Sequence, residues 1–533
     1  MGNKLARAET QQAVSVKQFT SPRGEIFAAD NRPLVLNEQR FDLYVWKPVL
    51  SLSSQEFLAL VEPIIDEQKL EKTWAEKAQD RLDDQDQNWV LIKRQLNNKQ
   101  AKQIKTMPVK GLFLQENWGR FYPEGSASAH LLGFLGRNRA GKPKGYFGLE
   151  GFYDRQLQGL SRLVMEKRGW WNKIQDVLVG LNEGEKGRDL VLFLDRAVQF
   201  VIEEELEKGV EKYGAQSGWV VVLDPHSGGV LGMSAWPSYD PALYFDYQEF
   251  LFPNPIIAQH FEPGSIFKPL VVAAALQEKT IKLDDKCSIC SGPIAIADYE
   301  IETWNNQYYP RSTVGEIIEH SDNVGMVWIG QKLGMEKMLF YLEKLNLGKK
   351  TNIDLEEEAA LSLKEGRAWY PIDLATASFG QGIALTPLQM TTAFASLANG
   401  GNWIRPRVTA KIKEGDKSVE TLLDSRKVFD KEVVDEVKKM LIRAVEKGEA
   451  QWTRISGLQV AGKTGTAQIS IQGHYDKEKT IASFIGFAPA NNPRFIMLVS
   501  LAEPTSSPWG SETAAPLWFA IAKRLLTYWG VSY

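Results

Sequence analysis

Residues 262–268 read Glu-Pro-Gly-Ser-Ile-Phe-Lys, and an uninterrupted apolar run follows them at 270–276. No other place in the chain has serine and lysine in a Ser-x-x-Lys pattern. The glycine before Ser265 and the apolar run after Lys268 predict that Ser265 begins a buried helix. Positions three residues apart share one face of a helix, so Ser265 and Lys268 can touch there.

A serine hydroxyl is a weak nucleophile until a neighbouring group takes its proton. Lysine can take that proton only when burial or a nearby cation lowers its pKa toward neutral. The apolar helix would bury Lys268, and Lys463 could supply the cation. The stretch therefore indicates Ser265 as a nucleophile with Lys268 as its base. Taken alone, however, it is more typical of a helix cap followed by a surface lysine.

The one Ser-x-Asn pattern, Ser321-Asp322-Asn323, lies 56 residues after the serine. Short helical patterns flank it, so we expect a turn whose small polar side chains point into a cleft. In this interpretation Ser321 relays a proton to the leaving amine, while Asn323 orients Lys268 and holds the substrate backbone. Asp322 is given no chemical role. The alternative is a cap between two helices, where Ser, Asp and Asn are preferred.

The one Lys-Thr-Gly pattern begins the run Lys463-Thr464-Gly465-Thr466, 142 residues further on. It falls inside a strand pattern, and Gly465 lets a ligand approach that strand's backbone closely. The ammonium of Lys463 and the hydroxyls of Thr464 and Thr466 would make a carboxylate receptor. Backbone N–H groups of Ser265 and Thr466 could stabilise a developing oxyanion. The alternative is an edge-strand turn with a solvated lysine.

These three motifs, at 265–268, 321–323 and 463–466, together predict an acyl-transfer site built on a serine with a lysine partner. Other nucleophile systems fit less well. The sequence has no Gly-x-Ser-x-Gly elbow, no His-Glu-x-x-His and no P-loop. A Ser-His-Asp triad stays open at this point, although the five histidines sit in no suggestive context.

Length and charge bound the rest of the interpretation. A chain of 533 residues is too long for one hydrophobic core, so we expect two or more domains. A net charge of -3 gives no reason to expect nucleic acid as a partner. The longest apolar runs are shorter than the ~20 residues that a membrane-spanning helix needs. Residues 1–18 lack the apolar centre of a secretory signal. A soluble protein and a chain without its N-terminal anchor both fit.

The two cysteines, Cys287 and Cys290, form a lone Cys-x-x-Cys. Zinc would need a second pair or nearby histidines, and thioredoxin-like chemistry would need a βαβ context. We therefore favour a structural disulfide or an inert pair, without deciding between them. The late tryptophans Trp509, Trp518 and Trp529 are interpreted as core and interface packing rather than as ligand-stacking surfaces.

Periodicity predicts an α+β domain at 186–533. Two strands come early and three late, with helices between them, which suggests one antiparallel sheet whose halves are far apart in sequence. Residues 1–185 are expected to form a separate, irregular α+β domain that ends in a stretch of linker composition. The predicted strands are 219–223, 230–234, 458–468, 480–487 and 495–502, and the predicted helices are 54–82, 97–104, 195–213 and 514–528.

With their flanking residues, the three motifs resemble those of the penicillin-binding proteins. More narrowly, the chain is similar to the class B, monofunctional D,D-transpeptidases of bacterial cell-wall synthesis. Residues 378–382 and the short stretch 463–488 look more like the division, septal branch than the elongation branch. Further matching segments are 23–26, 148–150, 153–154, 236–241, 380–382, 386–389 and 484–489.

The resemblance implies a serine D,D-peptidase or β-lactamase-like transpeptidase domain, with a five-stranded antiparallel sheet packed with helices. An elongated, non-catalytic α+β pedestal of the dimerisation-domain type would precede it at 1–185. The substrate would be a peptidoglycan stem peptide ending in D-Ala-D-Ala. Ser265 would attack the penultimate carbonyl, D-Ala would leave, and an amine of a neighbouring stem would take the acyl group. β-Lactams would acylate the same serine, and neither metal nor cofactor would be required.

The resemblance also implies a single-pass membrane anchor, absent from this chain, and a catalytic domain that is periplasmic or extracellular. The pedestal would contact a membrane-embedded glycosyltransferase and divisome proteins. Ala28-Ala29 stands where the family usually has Asp-Arg, which weakens the inference about pedestal contacts. The alternatives are an elongation-type transpeptidase, or a D,D-carboxypeptidase or β-lactam sensor with the same acyl-serine. A class A β-lactamase is disfavoured, because the nearest match to its glutamate loop, 343–346, is one residue off in spacing.

Overall fold

The computed structural model describes residues 14–19, 21–65, 72–159, 162–167, 186–363, 369–471 and 474–531. Contacts divide the chain into two compact units. The first consists of Met1–Ile26, Pro33–Pro123 and Arg155–Asp189, and the second of Phe27–Arg32, Glu124–Asp154 and Leu190–Tyr533. Residues Glu124–Asp154 thus cluster with the second unit, although they precede residue 185. The division into domains 1–185 and 186–533 stays a prediction.

The first unit is built around the long strand Pro33–Trp46, whose antiparallel partners include two further strands. Apolar side chains of its helices, among them Phe57 and Trp74, form a core with the strands. The predicted helices at 54–82 and 97–104 correspond to observed helices, except at 66–71, which lies outside the described residues. The partner strands are Trp89–Leu96 and Leu112–Phe121, the helices are Ser54–Ile65, Lys72–Asp83 and Asn98–Lys105, and a separate two-stranded sheet joins Val14–Phe19 to Arg162–Lys167.

Five antiparallel strands form the central sheet of the second unit, which confirms the predicted fold class. The early hairpin meets the late strands where Ser217 pairs with Ala502 and Leu223 with Ile496. The two halves of the sheet, far apart in sequence, are therefore joined by direct backbone pairing. In spatial order the strands are Val230–Trp236, Ser217–Leu223, Phe495–Ala502, His474–Ala488 and Ala461–Ile471.

Two long helices, Arg196–Tyr213 and Ala514–Tyr528, pack against this sheet close to their predicted bounds. Trp518 of the second helix is fully buried, and its indole N–H donates to the carbonyl oxygen of Met497 at 2.9 Å. This hydrogen bond satisfies the one polar group of the ring, so the whole side chain can be placed in the core.

The helix Lys268–Gln277, called the serine helix below, is buried from Lys268 to Ala275. A helix that is apolar on every side belongs in a protein interior, and the charged group at its start is enclosed with it. The helices Asn323–Leu333 and Lys431–Lys447 contact the serine helix. Further helices of this unit are Val314–Glu319, Met335–Lys344, Pro371–Ser378 and Pro387–Ala395.

The structure answers one question that the sequence left open, the state of the two cysteines. Cys287 and Cys290 are buried and joined in a disulfide. Within the part of the chain that the structure describes, none of the helices is both long and apolar enough to cross a bilayer.

Candidate active site

Ser265 lies in the short 3-10 helix Gly264–Phe267, which runs directly into the serine helix. Gly264 has a φ of +57°, a left-handed conformation that glycine adopts without steric cost. Its N–H donates to the carbonyl oxygen of Gly380 at 2.9 Å. A Cβ on Gly380 would lie only 2.1 Å from the carbonyl oxygen of Gly264. The two glycines therefore let the loop that carries Gly380 pack directly against Gly264–Phe267, called the serine turn below. Ser265 itself stays partly exposed.

Lys268 is fully buried, one helical turn after the serine. Its ammonium donates to the carbonyl oxygen of Ser321 at 2.7 Å, to the hydroxyl of Ser321 at 3.2 Å and to Oδ1 of Asn323 at 2.8 Å. Burial, and then the charge of Lys463, lower the pKa of Lys268 from 10.5 to about 7. A lysine with this pKa is neutral in a large fraction of molecules at neutral pH, as a general base must be.

The second motif forms a turn between two helices, as predicted. Ser321 and Asp322 are both buried, and Ser321 has a φ of +57°. The carboxylate of Asp322 accepts a hydrogen bond from the N–H of Gly325 at 3.0 Å and so caps the following helix. The two interpretations of this motif thus apply to different residues: Asp322 is the helix cap, whereas Ser321 and Asn323 hold Lys268.

The third motif lies on Ala461–Ile471, the last strand in the order of the sheet. Lys463 is only 3% exposed, so the alternative of a solvated lysine is wrong. Its ammonium donates to the hydroxyl of Thr464 at 3.2 Å. Burial lowers the pKa of Lys463 below its usual range, and the carboxylate of Glu449 opposes that shift.

Gly465 has a further reason to be glycine that the sequence did not reveal. A Cβ at this position would lie 2.9 Å from Cγ2 of Ile266 and 3.2 Å from the carbonyl oxygen of Pro263. Both distances are shorter than ordinary van der Waals contact. The missing side chain therefore brings the strand directly against the turn that carries Ser265.

A cavity of about 70 Å³ joins the three motifs. Lys268 and Lys463 both donate hydrogen bonds to residues of its lining. A larger cavity of about 340 Å³ lies beside the helix Arg196–Tyr213, but no residue of the three motifs lines it. Chemistry rather than size therefore identifies the smaller cavity as the candidate site. Its lining includes Ser265, Ser321, Asn323, Thr464, Gly465 and Thr466.

Several lining residues were not predicted from the sequence. Trp304 and Trp509 are both partly exposed, with their ring centroids 5.2 Å apart in an edge-to-face arrangement. Packing is the role predicted from the sequence for three late tryptophans. This is confirmed for Trp518, which lies in the core, and for Trp529, which packs against it. Trp509 instead lines the cavity. No local pattern marked Trp304 or Trp509 as a site residue, because their meeting depends on contacts between distant segments. The unpredicted lining residues include Trp304, Gln381, Glu449 and Trp509.

The arrangement supplies the groups that covalent acyl transfer requires. A partly exposed hydroxyl lies one helical turn from an amine of lowered pKa, and a second hydroxyl can pass a proton onward. A buried cation with neighbouring hydroxyls suits an anionic ligand group. Among the described residues there is no group of three or more His, Cys, Asp or Glu side chains that could hold a metal ion.

Comparisons with known proteins agree on the two parts of the chain. Residues 218–527 match the family described as penicillin binding protein transpeptidase domain, and residues 18–192 match the penicillin-binding protein dimerisation domain. Stage V sporulation protein D of Bacillus subtilis strain 168 is 31% identical over 452 residues, covering 82% of this chain and 68% of that protein. Peptidoglycan D,D-transpeptidase FtsI of Escherichia coli K12 is 30% identical over 442 residues, covering 82% and 72%.

Solved structures show the same fold. Penicillin-binding protein 3 of Mycobacterium tuberculosis, complexed with aztreonam, has a TM-score of 0.74 at 23% identity, with coverage of 97% of this chain and 98% of that chain. A peptidoglycan synthetase from Bifidobacterium adolescentis ATCC 15703 has a TM-score of 0.76 at 22% identity, with 97% of each chain covered. At these identities the likeness concerns the fold.

Proposed function

Because the chain belongs to the class B penicillin-binding proteins, we propose that Ser265 is the nucleophile of a peptidoglycan D,D-transpeptidase that crosslinks stem peptides at the division septum. The transpeptidase-domain match at 218–527 covers more than half of the chain. The protein is a serine-type transpeptidase that acts on peptidoglycan and binds β-lactams. The septal role is supported by the likeness to FtsI of Escherichia coli.

In the acylation step, neutral Lys268 accepts the hydroxyl proton of Ser265 as its Oγ attacks the carbonyl of the penultimate D-Ala. Negative charge then develops on the carbonyl oxygen. The backbone N–H groups of Ser265 and Thr466 are assigned to it, and losing one such donor costs about 3 kcal/mol of transition-state stabilisation. As the intermediate collapses, the C–N bond breaks and Ser321 passes the proton to the leaving D-Ala. The acyl group remains on Ser265 as an ester.

In the transfer step, an amine of a neighbouring stem attacks the ester carbonyl and gives up its proton to Lys268. The C–O bond to Ser265 breaks, the serine regains its proton, and the new amide is the crosslink. A β-lactam follows the first step only. Its ring amide opens on Ser265, and the leaving nitrogen stays attached to the acyl group.

Substrate orientation is assigned to the remaining residues of the motifs. Lys463 with the hydroxyls of Thr464 and Thr466 receives the terminal carboxylate, and Gly465 allows close approach to the strand. Asn323 holds Lys268 through its side-chain oxygen, 2.8 Å from the ammonium. Its amide group also binds the substrate backbone.

The observation that carries this proposal is the environment of Lys268. The side chain is fully buried, it is bound by both Ser321 and Asn323, and its pKa is lowered to about 7. A helix cap followed by a surface lysine would have none of these properties. The site therefore holds a base one turn from a serine that faces a cavity.

Labelling with a fluorescent penicillin tests the assignment. Ser265→Ala should lose the label completely, while Ser418→Ala, which changes an exposed serine of the same unit, should keep it. Label that survives Ser265→Ala would contradict the assigned nucleophile. Rapid loss of label over time would indicate a hydrolase instead. A thioester analogue of the stem peptide, offered with a D-amino acid as acceptor, must give the aminolysis product, which a β-lactam sensor would not form.

We further propose that a single-pass anchor holds the protein at the membrane, with its catalytic domain outside the cytoplasm. The region of 18–192 would contact a membrane-embedded glycosyltransferase and divisome proteins, as its match to the dimerisation domain suggests. A fluorescent fusion of the full-length gene product should concentrate at the division site of the source bacterium. An even distribution along the side wall would favour an elongation-type enzyme.

A further inference from the structure

Glu449 brings a carboxylate into the candidate site. It lies two residues after the helix Lys431–Lys447, is partly buried, and lines the same cavity as Ser265 and Thr464. Its Oε2 accepts a hydrogen bond from the hydroxyl of Thr464 at 3.0 Å. The third motif, assigned above to a ligand's carboxylate, thus already binds a carboxylate of the protein itself.

The hydrogen bonds around Thr464 show why this matters. The ammonium of Lys463 donates to the hydroxyl oxygen of Thr464 at 3.2 Å, and the hydroxyl donates onward to Glu449. A threonine hydroxyl has a single proton to donate. While this hydroxyl donates to Glu449, Thr464 cannot donate to a ligand carboxylate. A ligand carboxylate placed beside Thr464 would also be repelled by the negative charge of Glu449.

We propose that Glu449 is an internal competitor for the carboxylate receptor and determines how well the enzyme accepts ligands with a carboxylate next to the reacting amide. This inference rests on the proposed function. A bound ligand takes the hydroxyl of Thr464 only after the side chain of Glu449 has turned away. Glu449 therefore disfavours anionic ligands relative to neutral ones at the same serine.

A different role for Glu449 predicts the opposite effect of its removal on the binding of anionic ligands. The carboxylate raises the pKa of Lys463, which burial lowers, so Glu449 could act chiefly by keeping that ammonium charged. In that case its removal would weaken the binding of anionic ligands. Only competition by Glu449 predicts that its removal strengthens the binding of anionic ligands.

The test compares benzylpenicillin with its methyl ester, which lacks the carboxylate. The measured quantity is the second-order rate constant for acylation of Ser265 by benzylpenicillin, divided by that for acylation by the methyl ester. Glu449→Gln removes the negative charge but keeps an amide oxygen that can accept from Thr464. It should raise this ratio by about tenfold, because a neutral acceptor competes less strongly than a carboxylate and does not repel the ligand carboxylate. The control Glu446→Gln removes a carboxylate three residues earlier, in the last turn of the helix Lys431–Lys447 and outside the cavity lining, and should leave the ratio unchanged.

A ratio that stays constant or falls in Glu449→Gln overturns the inference. Both rate constants are measured on one protein sample, so a loss of folded enzyme cancels from the ratio. Glu449→Ala, which removes the competing group entirely, must raise the ratio as well. The inference and the proposed function fail separately: label on Ser265→Ala would refute the nucleophile, whereas an unchanged ratio with Ser265 still labelled refutes only competition by Glu449.

Discussion

At the scale of one residue, the burial of Lys268 lowers its pKa and so makes it able to act as a base. Its side chain has no exposed surface, and an ammonium in such a place is costly unless it is hydrogen-bonded or gives up its proton. Ser321 and Asn323 supply the bonds, and the lowered pKa makes the neutral form accessible. The environment that encloses the lysine therefore also prepares it to accept the proton of Ser265.

The pH dependence of acylation should report this lysine. Because only the neutral amine accepts a proton, the rate should rise with pH, with a midpoint near the pKa of about 7. Lys463→Gln removes a cation that lowers this pKa, so the midpoint should move to higher pH. Acylation by a β-lactam methyl ester, followed across the neutral range, measures the shift without involving the carboxylate receptor. An unchanged midpoint would show that the two lysines are not coupled.

At this scale the sequence identified the residues that lie in local patterns. Ser265 and Lys268 are spaced for one helix face, and Ser321 and Asn323 flank a turn, so their grouping could be predicted from types and spacing. Glu449 could not, because nothing in its neighbourhood distinguishes it from a surface glutamate. Its position depends on how the chain after the helix Lys431–Lys447 folds back against the strand Ala461–Ile471, which residue types alone do not show.

At the scale of elements, the approach of the strand Ala461–Ile471 to the serine turn depends on Gly465. Gly465→Ala would place a Cβ 2.9 Å from Ile266 and push the two elements apart. We expect acylation to slow by at least about tenfold, since small displacements of reacting groups cost that much or more. Gly315→Ala, on a helix with open space around the added methyl, should leave the rate unchanged. Stopped-flow labelling of both variants measures this, and equal rates would contradict the role of Gly465.

The five strands were predicted within a few residues, with one exception. His474–Ala488 begins six residues before the predicted start at 480. The charged stretch 476–479 does not alternate between apolar and polar residues, so it resembles a loop in sequence. In the structure Tyr475 and His474 pair through the backbone with Ser470 and Ile471, and backbone pairing does not require an apolar pattern.

At the scale of the whole molecule, the segment Glu124–Asp154 belongs to the second compact unit although it comes early in the chain. Phe134 packs with Tyr239 and Phe252, and the N–H of Phe147 donates to the carboxylate of Glu356 at 2.7 Å. Such contacts join residues about a hundred or more positions apart, which is why a linker-like composition alone could not reveal them.

A fragment limited to 186–533 should therefore be less stable than the full chain. It lacks the segment that covers Tyr239 and Phe252, so we expect its melting temperature to fall by at least about 5 °C. Differential scanning calorimetry of both proteins, together with penicillin labelling, measures the effect. A fragment that melts with the full chain and labels at the same rate would show that 124–154 adds nothing to this fold.

The strand that carries Lys463 to Thr466 is the outermost of its sheet in the described structure. In most proteins such an edge strand favours aggregation, because its unpaired N–H and C=O groups can hydrogen-bond to a strand of another molecule. Here the same edge strand borders a narrow cavity, where an extended peptide could add itself as a temporary sixth member. Hydrogen bonds to the peptide backbone do not depend on side-chain identity. One enzyme could therefore bind stem peptides of varied sequence while selecting for the chemical groups at their ends.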